Sequence, residues 1–341
     1  MNSDGKSDTS KERVGNDGNK VTGIDRVVSY VNDTRGHIIQ ESNDYNVDDI
    51  IDSVKHRVLD ANGNLISVYN NLDNDESTGK TIKVNDGRTL YGIENSDYRV
   101  LDPRGYITEY KMDNDGDGIF DYHNYDIRDP NGNLVATYFD TDADSSTGNT
   151  VQDINGRTIT GVEKIDYITR NGSGYSTKVE TDIGADGSIN KTVYEERNNN
   201  GYLLGSYSDL DQNVNTGSSY PLNDGRQLVG IDSVTTYEVD PNGFITKGAY
   251  DYNSDGTPDR IDYFVKSPQG YIAERYFDFD GSSSTGLTYT VNGKDISGID
   301  RFSSYTLNEL GLIVTAVIDN RGAISRNYDV YNNKRQLIEL Y

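Results

Sequence analysis

A period of 69 residues constrains this chain more than any other feature. A Gly followed by a hydrophobic residue and an acid recurs at Gly23, Gly92, Gly161, Gly230 and Gly298, in steps of 69, 69, 69 and 68. Tyr69, Tyr138, Tyr207, Tyr276 and Tyr341 keep nearly the same register. So do the Asp-Gly or Asn-Gly turns at Asp86, Asn155, Asp224 and Asn292. Repetition at this length marks one supersecondary unit used several times. Five units of 69 make 345, and four deletions bring that to the observed 341. The boundaries follow: a polar N-terminal tail at 1–19, repeats at 20–88, 89–157, 158–226 and 227–294, and a truncated repeat at 295–341.

Each repeat holds two tetrads, mostly Asp-x-x-Gly, 27 residues apart. They begin at Asp33 and Asp60, Asp102 and Asp129, Asn171 and Asn198, and Asp240 and Ser267; the last pair, Asn308 and Asn332, is 24 apart. Asp129-Pro130-Asn131-Gly132 has the chemistry of a type I turn closed by a left-handed Gly, which joins antiparallel strands. The flanks alternate with period two: Leu134, Ala136 and Tyr138 against Val135, Thr137 and Phe139. The unit is therefore expected to be all-β, a four-stranded antiparallel meander followed by a connector with its own small hairpin. No segment reads as an amphipathic helix. Five such units make an elongated array or close into a five-bladed propeller. Strands such as 190–196 (NKTVYEE) are too polar for blades stacked face to face, so the elongated array is the expectation.

Two acidic loops recur in each repeat. The first reads Asp113-x-Asp115-x-Asp117-Gly-Ile119-x-Asp121 in repeat 2, and Asp251-x-Asn253-x-Asp255-Gly-Thr257-x-Asp259 in repeat 4, continuing to Asp262. Calcium takes six to eight hard oxygens. Carboxylates at positions 1, 3 and 5, a Gly at 6, a carbonyl at 7 and acids at 9 and 12 supply them in a tight curl. Repeat 2 has Asn124 at position 12. Repeat 1 keeps Asp44, Asn46, Asp48 and Asp52 with Asp49 in place of Gly; repeat 3 keeps Asp182 and Asp186 but loses a ligand at Gly184; Asp319-Asn320-Arg321-Gly322 is expected to bind nothing. The second loop, Asp140-x-Asp142-x-Asp144 in repeat 2, recurs at Asn71, Asp209 and Asp278, each time followed by Thr-Gly. It reads equally as a second cation site or as a side-chain-capped turn.

Composition narrows the function. With 32 Lys+Arg against 56 Asp+Glu the net charge is −24, which repels phosphate backbones and argues against nucleic-acid partners. No apolar run approaches the roughly 18 residues of a membrane span. There is no Cys, so neither disulfides nor a Cys-based zinc site is possible. His37, His56 and His123 are not spaced for shared chemistry. No carboxylate pair is unique to one repeat, outside a loop and in an apolar setting, so an enzyme, such as a carbohydrate-active one, is not expected. The opening residues lack the apolar core of a signal peptide. The chain is accordingly cytosolic, exported by another route, or part of a longer protein.

The loops at 113–121 and 251–262 resemble those of dockerin, thrombospondin type 3 and integrin-type FG-GAP calcium repeats. The order of elements over 251–278 is most similar to an FG-GAP blade. The hairpin at 237–245 (YEVDPNGFI) resembles the YD repeats of bacterial Rhs-type proteins. As a whole the chain is similar to large, acidic, Cys-free bacterial repeat proteins of the cell surface or biofilm matrix. That resemblance implies calcium as the bound ion, an extracellular setting, an adhesin or stalk role, and a host or matrix glycan or protein as partner. A propeller-like binding platform is the alternative. The glycine-rich nonapeptide of RTX toxins is absent.

Overall fold

The computed structural model describes residues 12–14, 20–22, 24, 26–268, 270–291, 293–307, 313–320, 323–331 and 337–340. Gly23, Asp25, Asn292, Arg321, Gly322, Tyr341 and the tetrads at 308 and 332 therefore lie wholly or partly outside the described residues. Every regular element among them is a β-strand. The residues fall into two compact units: 1–127 with 137–163 and 327–341, and 128–136 with 164–326.

In the first unit, strands Val27–Asn32, Ile38–Asp44, Ser53–Leu59 and Leu65–Asn71 pair in sequence order, all antiparallel. Leu65–Asn71 then pairs with the first strand of repeat 2, Asn95–Leu101, at Ser67↔Tyr98 through Asn70↔Asn95. Strand Leu337–Leu340 pairs on the far side of the first meander, at Val28↔Leu340. The second unit repeats the plan. Strands Lys164–Arg170, Ser176–Ile183, Lys191–Arg197 and Leu203–Asp209 form a meander, and Leu203–Asp209 pairs on to Ser233–Val239 of repeat 4. Tandem four-stranded meanders are thus what the chain builds. Successive repeats within a unit join edge to edge through backbone hydrogen bonds. Propeller blades are separate sheets stacked on their faces, so the propeller alternative does not hold.

The tetrads make the expected turns. In repeat 1 the Gly63 N–H donates to the Asp60 carbonyl at 3.0 Å and the Asn64 N–H to Asp60 Oδ1 at 2.8 Å. Gly63 has φ +90°, and the register slips between Val58 and Leu59, the mark of a bulge at the turn. These bonds hold the Asp60 carboxyl below its usual range, with the Asn64 side chain the main cause.

Between meanders the connector forms a two-stranded hairpin that crosses the expected repeat boundary and is counted with the meander it follows: Lys80–Lys83 with Thr89–Ile93, Asn149–Gln152 with Thr158–Val162, Ser218–Pro221 with Gln227–Ile231, and Leu287–Val291 with Lys294–Ile299. A fifth pairs Glu12–Val14 with Lys20–Thr22, so part of the expected polar tail takes the connector form. The hairpins supply the core. In repeat 1, Val84, Leu90 and Ile93 pack on Val58 and Tyr69; in repeat 3, Leu222, Leu228 and Ile231 pack on Tyr207 and Val234. The Tyr column is core, since Tyr69, Tyr138, Tyr207 and Tyr276 are all buried. Each such side chain contributes about 1.5–3 kcal/mol when fully buried.

The polar strand that argued against a propeller is not simply solvated. Thr192 and Glu196 are buried in Lys191–Arg197. Glu196 accepts the Tyr207 hydroxyl at 2.8 Å and the Asn223 N–H of the connector at 2.7 Å. Thr192 Oγ1 accepts Gln212 Nε2 at 3.0 Å. Such polar residues tolerate burial because each has a partner.

Candidate metal centre

Antiparallel alternation puts the tetrad turns at one end of each meander and both acidic loops at the other. The first loop has one conformation in four repeats. Its first acid is buried at the end of a strand, as at Asp44, Asp113, Asp182 and Asp251. The residue at position 9 closes the curl by accepting the N–H of position 2. Asp52 takes Tyr45 at 2.5 Å, Asp121 takes Asn114 at 2.6 Å, Asn190 takes Ile183 at 2.5 Å, and Asp259 takes Tyr252 at 2.7 Å. Positions 4 and 6 are left-handed: Val47 and Asp49, Gly116 and Gly118, Ala185 and Gly187, Ser254 and Gly256. Repeat 1 thus carries two non-Gly residues in a region that L side chains rarely adopt.

Repeat 2 gathers Asp113, Asp115 and Asp121 with carboxylate oxygens within 4.8 Å of one another. Asp113 is 5% exposed, and its Oδ1 is buried without a hydrogen-bond donor. Asp117 stays outside this set, and its Oδ1 accepts the Ile119 N–H at 2.6 Å. In repeat 4 the Asp251 carboxylate is taken by the Asp255 and Gly256 N–H groups, at 3.2 and 2.8 Å. Asn253 Oδ1 accepts the Asp255 N–H and Asp255 Oδ1 the Thr257 N–H. In repeat 1, Asp44 takes the Asp48 and Asp49 N–H groups, Asn46 also takes Asp48, and Asp48 takes Ile50. Position 12 does not belong to the loop. Asn124 lies in strand Tyr122–Arg128 opposite Tyr110, and Asp262 in strand Arg260–Lys266 opposite Gly248. Both oxygens of Asp262 are held at 2.8 Å by Arg260 Nε and an Arg260 terminal nitrogen.

The second loop gathers more, with a residue that the sequence pattern had not assigned to it. Asp140, Asp142 and Glu163 bring carboxylate oxygens within 4.8 Å; Asp209, Asp211 and Asp232 do the same, as do Asp278, Asp280 and Asp300. The third acid each time ends the Gly–hydrophobic–acid triplet after the connector hairpin. Backbone pairing brings it there: the Glu163 N–H donates to the Phe139 carbonyl at 2.9 Å, Asp232 to Ser208 at 2.8 Å and Asp300 to Phe277 at 2.8 Å. Its side chain accepts an N–H of the loop, from Thr141, Leu210 or Phe279. Asp144 is left out, and its Oδ1 accepts the Ser146 N–H at 2.9 Å.

The loop is also a capped turn. The Thr147 hydroxyl reaches Asp142 Oδ1 at 3.0 Å and Oδ2 at 2.9 Å, and Thr78, Thr216 and Thr285 repeat the contact. The Asp144 N–H and this hydroxyl hold the Asp142 carboxyl below its usual range. Asp140 goes the other way. Burial first, then the charges of Glu163 and Asp142, push it up to about 6. Asp209 and Asp278 are raised as well, burial again leading. Asp140 Oδ1 is buried and has no donor.

The triplet glycine is required by this arrangement. Gly161 has φ +76°, and a Cβ there would lie 2.7 Å from Asp140 Oδ2 and 3.2 Å from the Asp144 carbonyl. Gly298 stands in the same relation to Asp278. The Gly of each Thr-Gly pair meets the hairpin backbone from the other side, as Gly217 does at the Ile231 carbonyl.

No family model matches the chain, and no curated protein matches it. Solved structures similar to it include TcdB2-TccC3-Cdc42, at 12% identity and TM-score 0.33 over 92% of this chain. The Photorhabdus luminescens Tc holotoxin pore with the TccC3-D651A mutation matches at 11% identity and TM-score 0.31. A porin-like protein from Bacteroides uniformis matches at 9% identity and TM-score 0.31, over 93% of this chain and 95% of its own. The chain spans 16% and 15% of the first two. At these scores the likeness carries no argument about this chain. Among the described residues no helix is long and apolar enough to cross a membrane.

Proposed function

We propose that this chain is a calcium-binding repeat module of a bacterial surface protein, extracellular and non-enzymatic, in which bound calcium stiffens thin-cored β-meanders for an adhesive or stalk role. A matrix or host glycan or protein is the partner such a role calls for. The observation that carries the reading is the recurrence of carboxylate sets at fixed points of the repeat, with buried oxygens of Asp113 and Asp140 lacking any donor. Like charges gathered in this way cost stability unless a cation joins them. The donors are all hard oxygens, which suits calcium and excludes nothing but soft metals. The same acids recur from repeat to repeat instead of converging once, which is what a structural role asks for and a catalytic one does not. Isothermal calorimetry with calcium chloride tests this. Saturable binding supports it, and the absence of binding heat at millimolar calcium, with unchanged melting in EDTA, overturns it.

A further inference from the structure

The second loop carries a more specific reading, which rests on the calcium assignment for the identity of its ion. We propose that repeat 2 holds one divalent cation where the second acidic loop meets the acid of the Gly–hydrophobic–acid triplet, and that this ion fastens the connector hairpin to the fourth strand of its meander.

In repeat 2 the three carboxylates come from three pieces of chain. Asp140 ends strand Leu134–Asp140, Asp142 lies in the loop, and Glu163 follows hairpin strand Thr158–Val162. Oxygens within 4.8 Å of one another can share one ion at the calcium–oxygen distance of about 2.3–2.6 Å. The cluster alone would be only an acidic loop. What points to a ligand is Asp140, 4% exposed, with Oδ1 buried and offered no donor. The Ala143 N–H reaches the Asp140 carboxylate without serving Oδ1, and the other donors in place go elsewhere. Thr147 serves Asp142, and the Thr141 N–H and hydroxyl both serve Glu163. A carboxylate oxygen at that depth gains most from a cation. Gly161 lets Asp140 lie directly over the hairpin backbone.

Repeat 1 is the natural contrast. Its residues are Asn71, Asp73 and Glu94, so one charge is missing. Asn71 Nδ2 instead donates to the Tyr91 carbonyl of the hairpin at 3.3 Å. Asn71 Oδ1 is buried without a donor, as Asp140 Oδ1 is, but it carries no charge. The direct bond does part of what the ion does in repeat 2, and repeat 1 binds the cation more weakly.

Hydrogen–deuterium exchange of the full chain in calcium and in EDTA tests this, alongside calorimetry. Calcium is expected to slow exchange roughly tenfold or more in the hairpin at 149–162, and much less at 80–93. In E163Q that difference disappears; in D113N/D115N/D251N it stays. D142N loses it as well, which keeps the test readable if E163Q does not fold. Calcium heat in the wild type without a hairpin effect, or a hairpin effect that survives E163Q, overturns this inference and leaves the calcium reading standing. No calcium heat at all overturns both.

Discussion

Asp140→Asn is expected to change sign with calcium. Without the ion, Asp140 is a buried carboxylate beside Glu163 and Asp142, pushed up to about 6. A raised carboxylate binds its proton more readily in the folded chain than in the unfolded one. The metal-free fold therefore loses stability as pH rises from about 4 through about 6, and at pH 7.5 the whole cost is present. Keeping a carboxylate raised to about 6 ionised costs about 3 kcal/mol in a dry site, and solvent screening at a loop reduces that to about 1 kcal/mol. Asparagine removes the charge, and repeat 1 shows that the position accepts it: Asn71 donates to the Tyr91 carbonyl, and Thr160 occupies the matching place in repeat 2. In EDTA, D140N should melt roughly 1–3 °C above the wild type. With free calcium 100-fold above Kd the wild type gains about 2.7 kcal/mol at this site and the variant forgoes most of it, so the order reverses. Differential scanning calorimetry at pH 7.5 in both buffers reads the crossing. A variant that melts below the wild type in both, or equally in both, refutes the reasoning.

Other outcomes follow from the same structure. Gly161→Ala and Gly156→Ala both force Ala to positive φ, but a Cβ at Gly156 meets nothing within 4 Å. Each should lose about 1–2 kcal/mol in a urea melt, while only Gly161→Ala also weakens calcium binding. Ile231→Ala empties a fully buried position in the repeat 3 core and should cost about 2–5 kcal/mol in the same assay. His123, beside Glu109 at 3.2 Å, is lowered to about 4, burial leading and Lys111 adding to it. The unfolded chain takes up that proton first, so this His contributes a loss of stability as pH falls from about 6.5 towards 4. Its NMR titration should centre near 4, and a midpoint near 6.5 contradicts the buried setting.

The period, the turns and the loops were legible because each is local. Asp60 and Gly63 carry their turn within a few residues, and Asp113, Asp115 and Asp121 converge within one curl. The third carboxylate of the second loop was not legible, although its triplet defined the repeat. Glu163 lies 22 residues beyond Thr141 and comes close only because the hairpin returns it to Phe139. Nor could spacing alone tell which acids the chain draws together. Asp117 and Asp144 fit a ligand pattern, yet neither joins the carboxylates gathered in its repeat. Position 12 lies past the curl. A strand follows directly, and pairing draws Asp262 into the sheet, where Arg260 meets it. Polar strands such as Lys191–Arg197 looked solvent-facing because the connector that covers Glu196 is distant in sequence.

Calcium titration of the full chain by isothermal calorimetry, at pH 7.5 in calcium-stripped buffer, bears most directly on the account. Saturable binding is expected, with a tight site at the Asp140 loop and a stoichiometry that falls by one in E163Q. Binding that E163Q leaves unchanged would move the ions elsewhere, and a flat titration would contradict the central claim that these carboxylates are gathered for a cation.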